Sequence, residues 1–223
     1  MSMNEKFQEI RTLINERELN LENLQRAESE LSELLQFENF AWAYGLLAEI
    51  HYLKAEAAEK SEQASLYEKG IELGKKGIAL DSKNIESQFW TGVCYGLLGD
   101  ERGILNSFLL LSPLESCIEA SVSIQESYFF GGPLRVKGVF YNRLPSWPIS
   151  KGDNKKALDC LLKALAYGED FFLNHLYIGQ VYKSMGNRMK AREHFEWILN
   201  APINEKYKLE NARHIAKAKL ELS

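Results

Sequence analysis

HLYIGQVYKSMGNRMKAREHFEWIL, residues 175–199, decides how the rest of the chain is read. Gly179, Tyr182, Gly186, Ala191, Phe195 and Ile198 fall at offsets 0, 3, 7, 12, 16 and 19. A small residue at the first position lets two antiparallel helices approach closely. An aromatic one turn on fills the gap beside it, and Gly186 closes the first helix because glycine tolerates the left-handed backbone of a helix end. Ala191 and Phe195 then supply the small and large contacts of a second helix.

The same signals recur upstream. Gly138 and Tyr141 precede Ala157, Leu161 and Ala164; Gly92, Tyr95, Gly99 and Asp100 precede Ala120, Ile124 and Ser127; Gly45 precedes Gly70, Gly74 and Gly77. The pattern resembles the tetratricopeptide repeat (TPR), matching at residues 175–199 all but the last of its signature positions. Spacings between the leading glycines are 47, 46 and 41 residues (45 to 92, 92 to 138, 138 to 179), against about 34 for a standard repeat. From the aromatic position of the first helix to the small residue of the second, the last repeat uses nine residues (182 to 191). The others use 22 (48 to 70), 25 (95 to 120) and 16 (141 to 157), so the excesses of 13, 16 and 7 are expected as insertions in one turn of three consecutive units, gathered along one edge.

The expected fold class is therefore all-α: a TPR-like helical-hairpin solenoid with about four degenerate repeats, insertions in the intra-repeat turns of the first three, and helical caps. It is expected as a single domain, residues 1–223, with an N-terminal helical cap over 1–39, repeats over 40–203 and a capping helix over 204–223. In that closing helix, Leu209, Ala212, Ile215, Ala216 and Leu220 supply the apolar positions. Strand alternation and hairpin signatures are absent from the sequence.

Composition narrows the function classes. Lysine and arginine total 27 against 31 acids, a net charge of −4, which gives no reason to expect nucleic acid as the main partner. Residues 1–40 carry nine Glu against four Lys and Arg, and residues 201–223 carry five Lys and Arg against three Glu, read here as solvated helix faces. Cys94, Cys117 and Cys160 are expected as buried free thiols. No apolar run is long enough to suggest a membrane span, and the opening MSMNEKFQEIRTLINERE lacks the layout of a signal peptide. A cytoplasmic chain is expected as written, or a periplasmic one if an export signal was removed.

In a TPR array the first helix of each pair lines the concave face, and the resemblance places ligand contacts around the small glycine. Three residues before it stand Trp42, Phe89, Arg135 and Leu176; just after it come Leu46, Val93, Val139 and Gln180; further along come Ile50, Leu97, Arg143 and Ser184. Such a face suits a protein partner, or a small acidic or apolar ligand, with Arg135 and Arg143 offering forked donors to a carboxylate; both arginines pairing with glutamates is the alternative. Within the second insert, ERGILNSFLLLSP holds Ile104, Leu105, Phe108, Leu109 and Leu111, read as a short extra helix ending at Ser112 and Pro113. In the third, PSWPISKGD, Trp147 is expected to pack over a neighbouring insert, with a ligand-facing wall as the alternative, and Asp153 to cap the next helix.

No catalytic, metal or cofactor signature emerges. His51, His175, His194 and His214 lack ligand spacing, the cysteines form no CxxC, and acid pairs are expected only on exposed helix faces. His175 and His194 are expected as hydrogen-bonded structural histidines that face each other in the last repeat. FFGGPLR is read as a helix-breaking link with Pro133 at the first helical position, not as a phosphate loop.

Gly131, Gly132, Arg135, Gly138, Tyr141, Pro145, Pro148, Gly152, Asp153, Lys156, Ala157 and Leu158 together also resemble the TPR proteins associated with TRAP transporters, the T-component family. That resemblance implies a helical protein, able to form a ring-like homo-oligomer, that cooperates with a periplasmic solute-binding component. The leading expectation is a non-catalytic interaction scaffold binding a protein partner on its concave face; the alternative is a TRAP-associated component handling a small organic acid or apolar ligand.

Overall fold

The computed structural model describes residues 2–223, except the side chains of residues 104–108. Its described residues form eleven α-helices and one 3-10 turn, in two compact units, 1–124 and 125–223. The fold class is all-α and TPR-like.

In the first unit, α1 (Met3–Asn15) and α2 (Glu22–Phe37) form the N-terminal hairpin. Ser2 starts it with a reciprocal capping box, its hydroxyl accepting from Glu5 N while the Glu5 carboxylate accepts from Ser2 N at 2.7 Å. Ile10, Ile14, Ala27 and Leu31 face inward onto α3 (Ala41–Ala57), meeting Leu46 and Ile50 in one core. The first repeat pairs α3 with α4 (Lys60–Leu80), and the second pairs α5 (Ile85–Arg102) with α6 (Ile104–Gln125).

The surplus residues of the first two repeats are taken up differently from the expected insertions in the intra-repeat turns. In the first repeat they lengthen α3 and α4 to 17 and 21 residues, joined through Ala58 and Glu59. In the second, Gly103 alone separates α5 from a 22-residue α6, and α6 runs through Pro113 instead of restarting there. Proline removes the donor that would reach the carbonyl four residues back, at Leu109. Leu109 is solvent-exposed, so the turn that loses this bond lies on the outer side of the helix, where an unpaired carbonyl is tolerated. Phe108 lies outside the described residues.

Long helices pack closely here because glycine lines their contact. Gly70, Gly74 and Gly77 of α4 face Cys94, Thr91 and Ser87 of α5 in antiparallel register, and a Cβ at Gly74 would stand 1.8 Å from Thr91 Oγ1. Gly45 meets the backbone of Ser87 in the same way. Gly92 faces Cys117 of α6, not the expected Ala120 and Ile124. Cys94 and Cys117 are buried free thiols whose pKa values are pushed up by burial, Cys117 to about 12; Cys160 forms no disulfide and is half-buried.

The second unit holds α7 (Tyr128–Arg143) with α8 (Asn154–Ala166), α9 (Phe172–Ser184) with α10 (Arg188–Asn200), a 3-10 turn Glu205–Tyr207 and α11 (Lys208–Leu222). Its core gathers Leu161, Leu176, Ile178, Phe195 and Ile198. Gly179 packs against the Phe195 ring and Gly138 against Leu161, as the spacing predicts. Gly186, at φ +77, ends α9, and Asn187 N donates back to Tyr182 O at 2.9 Å. The inward face of α11 corrects the sequence expectation. Asn211, His214 and Ala218 are buried with Ile215 beside them, whereas Leu209 and Leu220 are exposed and Ala212 and Ala216 lie on the outer side.

Candidate functional site

The twelve positions on first helices divide by burial. In the first unit Leu46, Ile50 and Phe89 are core residues, and Trp42 is half-buried between Phe7 (edge-to-face, 5.3 Å) and Phe40 (stacked, 5.8 Å). Val93 and Leu97 are partly exposed on α5. A helix that is apolar around most of its circumference is enclosed on several sides. That is the situation of α3, which packs on α4, α5, α2 and α1 together, so two of its three glycine-flanking positions, Leu46 and Ile50, are buried against other helices.

Acids also enter that interior, against the expectation that they stay on exposed faces. Glu49 on α3 and Glu86 on α5 are buried, and the Arg11 guanidinium of α1 is hydrogen-bonded to Glu49. Burial raises the Glu86 pKa above the ordinary carboxylate value, with Arg11 opposing the shift. The signal was present in the sequence: Glu49 is a lone acid between Ala48 and Ile50 in an otherwise apolar stretch.

In the second unit Arg135 does not offer its fork to a ligand. It is 4 % exposed, and its Nη1 donates to Phe130 O at 3.1 Å and to Asn174 Oδ1 at 3.0 Å. The guanidinium also lies 4.8 Å from the Phe171 ring centre. What it holds is an unusual turn: Phe129, Phe130 and Gly131 are successive left-handed residues, with φ of 46°, 58° and 74°. Left-handed backbone is costly for aromatic residues. Here the turn is fixed from three sides, by Arg135 on the carbonyls, by Phe130 stacked on Phe171 at 4.6 Å, and by Asn174 donating to Phe130 O, Ala164 O and Gly168 O. Glycine is required at 131, where a Cβ would meet Ala164 O at 2.6 Å. The Gly-Gly-x-x-Arg pattern is thus an internal clamp opening the third repeat, and Asn174 is its partner that sequence reasoning missed.

Val139 is partly exposed on α7 and Arg143 is exposed at its last turn. Leu176 is a core residue, and Gln180 donates to Glu221 of α11 at 2.8 Å, which covers it. Ser184 is exposed and donates back to Gln180 O. His175 and His194 face each other, Nδ1 to Nδ1 at 3.1 Å. His175 Nε2 lies 2.9 Å from Glu169 O and so carries the proton. Its Nδ1 must then accept, and His194 Nδ1–H donates. The His175 ring stacks on Trp197 at 3.6 Å, and burial lowers both histidine pKa values, that of His194 to about 4. Among the described residues, no group of three or more His, Cys, Asp or Glu is placed to hold a metal ion, and no helix is long and apolar enough to cross a membrane.

The third insert is a structured loop. Gly152 N donates to Pro145 O at 3.0 Å, Ile149 N to Ser146 O at 3.1 Å and Asp153 N to Tyr141 O at 3.0 Å. Asp153 caps α8 as expected, accepting from Lys155 N and Lys156 N. Trp147, expected to pack against a neighbouring insert, is instead 85 % exposed, and Ile149 82 %. The loop's own hydrogen bonds close on its backbone and leave the tip side chains outside.

No protein-family model matches the chain, and no curated protein is significantly similar to it in sequence. Solved structures are similar to it in fold. A thermophilic TPR protein of Thermus thermophilus, TTC0263, matches with a TM-score of 0.66 at 19 % identity over 93 % of this chain and 96 % of its own. PilF of Pseudomonas aeruginosa matches at 0.56, with 16 % identity over 96 % and 88 %. MamA matches at 0.52, with 16 % identity over 92 % and 97 %. The fold is TPR-like.

Proposed function

We propose that this chain is a non-catalytic scaffold that binds a segment of a partner protein on the accessible sides of its first repeat helices. Support comes from one observation above all. After the glycine-flanking positions buried in the fold are set aside, those left at the surface on α5 and α7 are apolar and cationic, Val93 and Leu97 on α5 and Val139 and Arg143 on α7, with Trp42 half-open on α3 and the polar Gln180 and Ser184 on α9. On α7 the apolar Val139 stands one helical turn from the Arg143 guanidinium, a pairing that suits an apolar segment carrying a carboxylate. TPR-like structures of similar architecture agree with an interaction role without specifying a partner.

The test is affinity of a captured partner for single variants. Leu97→Asp and Val139→Asp are expected to weaken binding by about tenfold or more each, and Arg143→Ala by about fivefold. Unchanged affinity in all three, with the fold intact by circular dichroism, would sink the proposal. A finer reading, a component working beside the solute-binding protein of a TRAP transporter, rests on the resemblance of residues 131–158. Co-purification with such a protein, sensitive to Arg143→Ala, is the outcome it requires.

A further inference from the structure

The tip of the Trp147 loop lies outside the surface just described, which shares only Arg143 with it. Trp147, Pro148 and Ile149 are consecutive and exposed, and the two larger side chains are more than four-fifths in water. Large apolar side chains held this openly are uncommon on a loop whose backbone is tied down. Four basic residues surround them in sequence: Arg143 ends α7, Lys151 follows the tip, and Lys155 and Lys156 occupy the first turn of α8, all exposed. Along the sequence from 143 to 159 the acids are Asp153 and Asp159. The Asp153 carboxylate is occupied as the helix cap and lies 3.9 Å from Lys156 Nζ, while Asp159 sits a turn further along α8. Lys156 Nζ also lies 5.8 Å from the Tyr141 ring centre, which places its charge at the base of the loop.

We propose that this loop docks onto an anionic lipid surface, with Trp147 and Ile149 entering the headgroup and acyl boundary and the basic residues meeting lipid phosphates and carboxylates. Shape decides between a bilayer and an acidic protein segment. Trp147 and Ile149, 85 % and 82 % exposed, stand out in solvent from the loop, and such a tip suits a deformable acceptor, whereas a peptide needs a groove or a sheet edge to lie along. Trp is suited to the interfacial layer because its ring is apolar and its N–H stays wet. Each cation near such a surface adds favourable energy that is screened by salt.

The experiment is co-sedimentation of the full chain with phosphatidylcholine vesicles, with and without about one third phosphatidylserine. Binding is expected to the anionic vesicles only, and to fall steeply with added salt. Lys155→Ala with Lys156→Ala is expected to weaken it about 30-fold. Trp147→Ala with Ile149→Ala is expected to weaken it about tenfold or more. A blue shift of tryptophan emission on vesicle addition should vanish in Trp147→Phe, since Trp42, Trp90 and Trp197 are each packed against other rings. These exposed substitutions leave the thermal unfolding midpoint unchanged. The proposal is overturned by equal binding to neutral vesicles, by binding that survives both double variants, or by no vesicle binding. Retention on an immobilised Glu-rich peptide with the same Trp147 dependence and no vesicle binding would replace the lipid with an acidic protein segment.

Discussion

At Gly179, an added Cβ would stand 2.4 Å from Phe195 Cε1, and Phe195 is fully enclosed, so its ring has nowhere to move. Gly179→Ala gains about 1 kcal/mol of helix propensity and loses more to overpacking, for a net loss of about 1–2 kcal/mol. Denaturant midpoints check this, and adding Phe195→Leu should restore part of the loss. Arg135 presents the opposite case, a buried charge with occupied donors. Arg135→Ala leaves Phe130 O and Asn174 Oδ1 without that partner beside a left-handed turn, and is expected to cost about 3–5 kcal/mol. Arg135→Lys should rescue little, because an ammonium has no planar fork to span the turn and Asn174 while stacking on Phe171. Arg135 was visible in the sequence as an arginine at a ligand-contact position. Its burial was not, because it depends on Asn174, 39 residues away.

Among the elements, α8 shows a cap that local sequence specifies fully. Asp153 precedes NKKAL and accepts from two backbone amides, so Asp153→Ala should lower stability by about 1 kcal/mol, and Asp153→Asn by much less. Chemical denaturation of the three proteins side by side tests the difference. Helix lengths were less legible. Surplus residues between repeat signatures read as insertions in the intra-repeat turns, and Pro113 reads as a helix start. What decided the matter was packing: the glycine row of α4 gives a long helix a long contact with α5, and exposure of Leu109 lets α6 pass a proline. In α11 the apolar pattern pointed to Leu209 and Leu220 as inward residues, whereas the fold turns His214 and Asn211 inward, where the polar cluster around Arg135 lies. Amphipathic spacing assigns a helix and a stripe, and it cannot tell which stripe a neighbour will cover when both are mixed.

For the molecule as a whole, acid sensitivity is the property that emerges from adding buried groups. All four histidines have pKa values lowered from 6.5, chiefly by burial, that of His194 to about 4 and that of His214 to about 3. Their folded values lie below the unfolded one, so the unfolded chain binds more protons in between. The histidine contribution to stability is therefore complete above about pH 6.5 and declines as pH falls, by about 1.4 kcal/mol per pH unit for each strongly shifted histidine. Unfolding midpoints measured from pH 8 to pH 4 should show this slope. His214→Leu should flatten it by one histidine's share and change stability little at pH 8, because His214 Nδ1 has no hydrogen-bond partner to lose. From the sequence alone follow the helical class, the pairing of helices into repeats and the small-to-large contacts of Gly138 and Gly179, since these depend on residues within one hairpin and on steric rules that operate locally. Tertiary structure alone decided which glycine-flanking positions remain at the surface, that Glu49, Glu86 and Arg135 lie inside, and that Trp147 lies outside. Burial is a property of everything packed around a side chain, and those neighbours come from helices far apart in the chain.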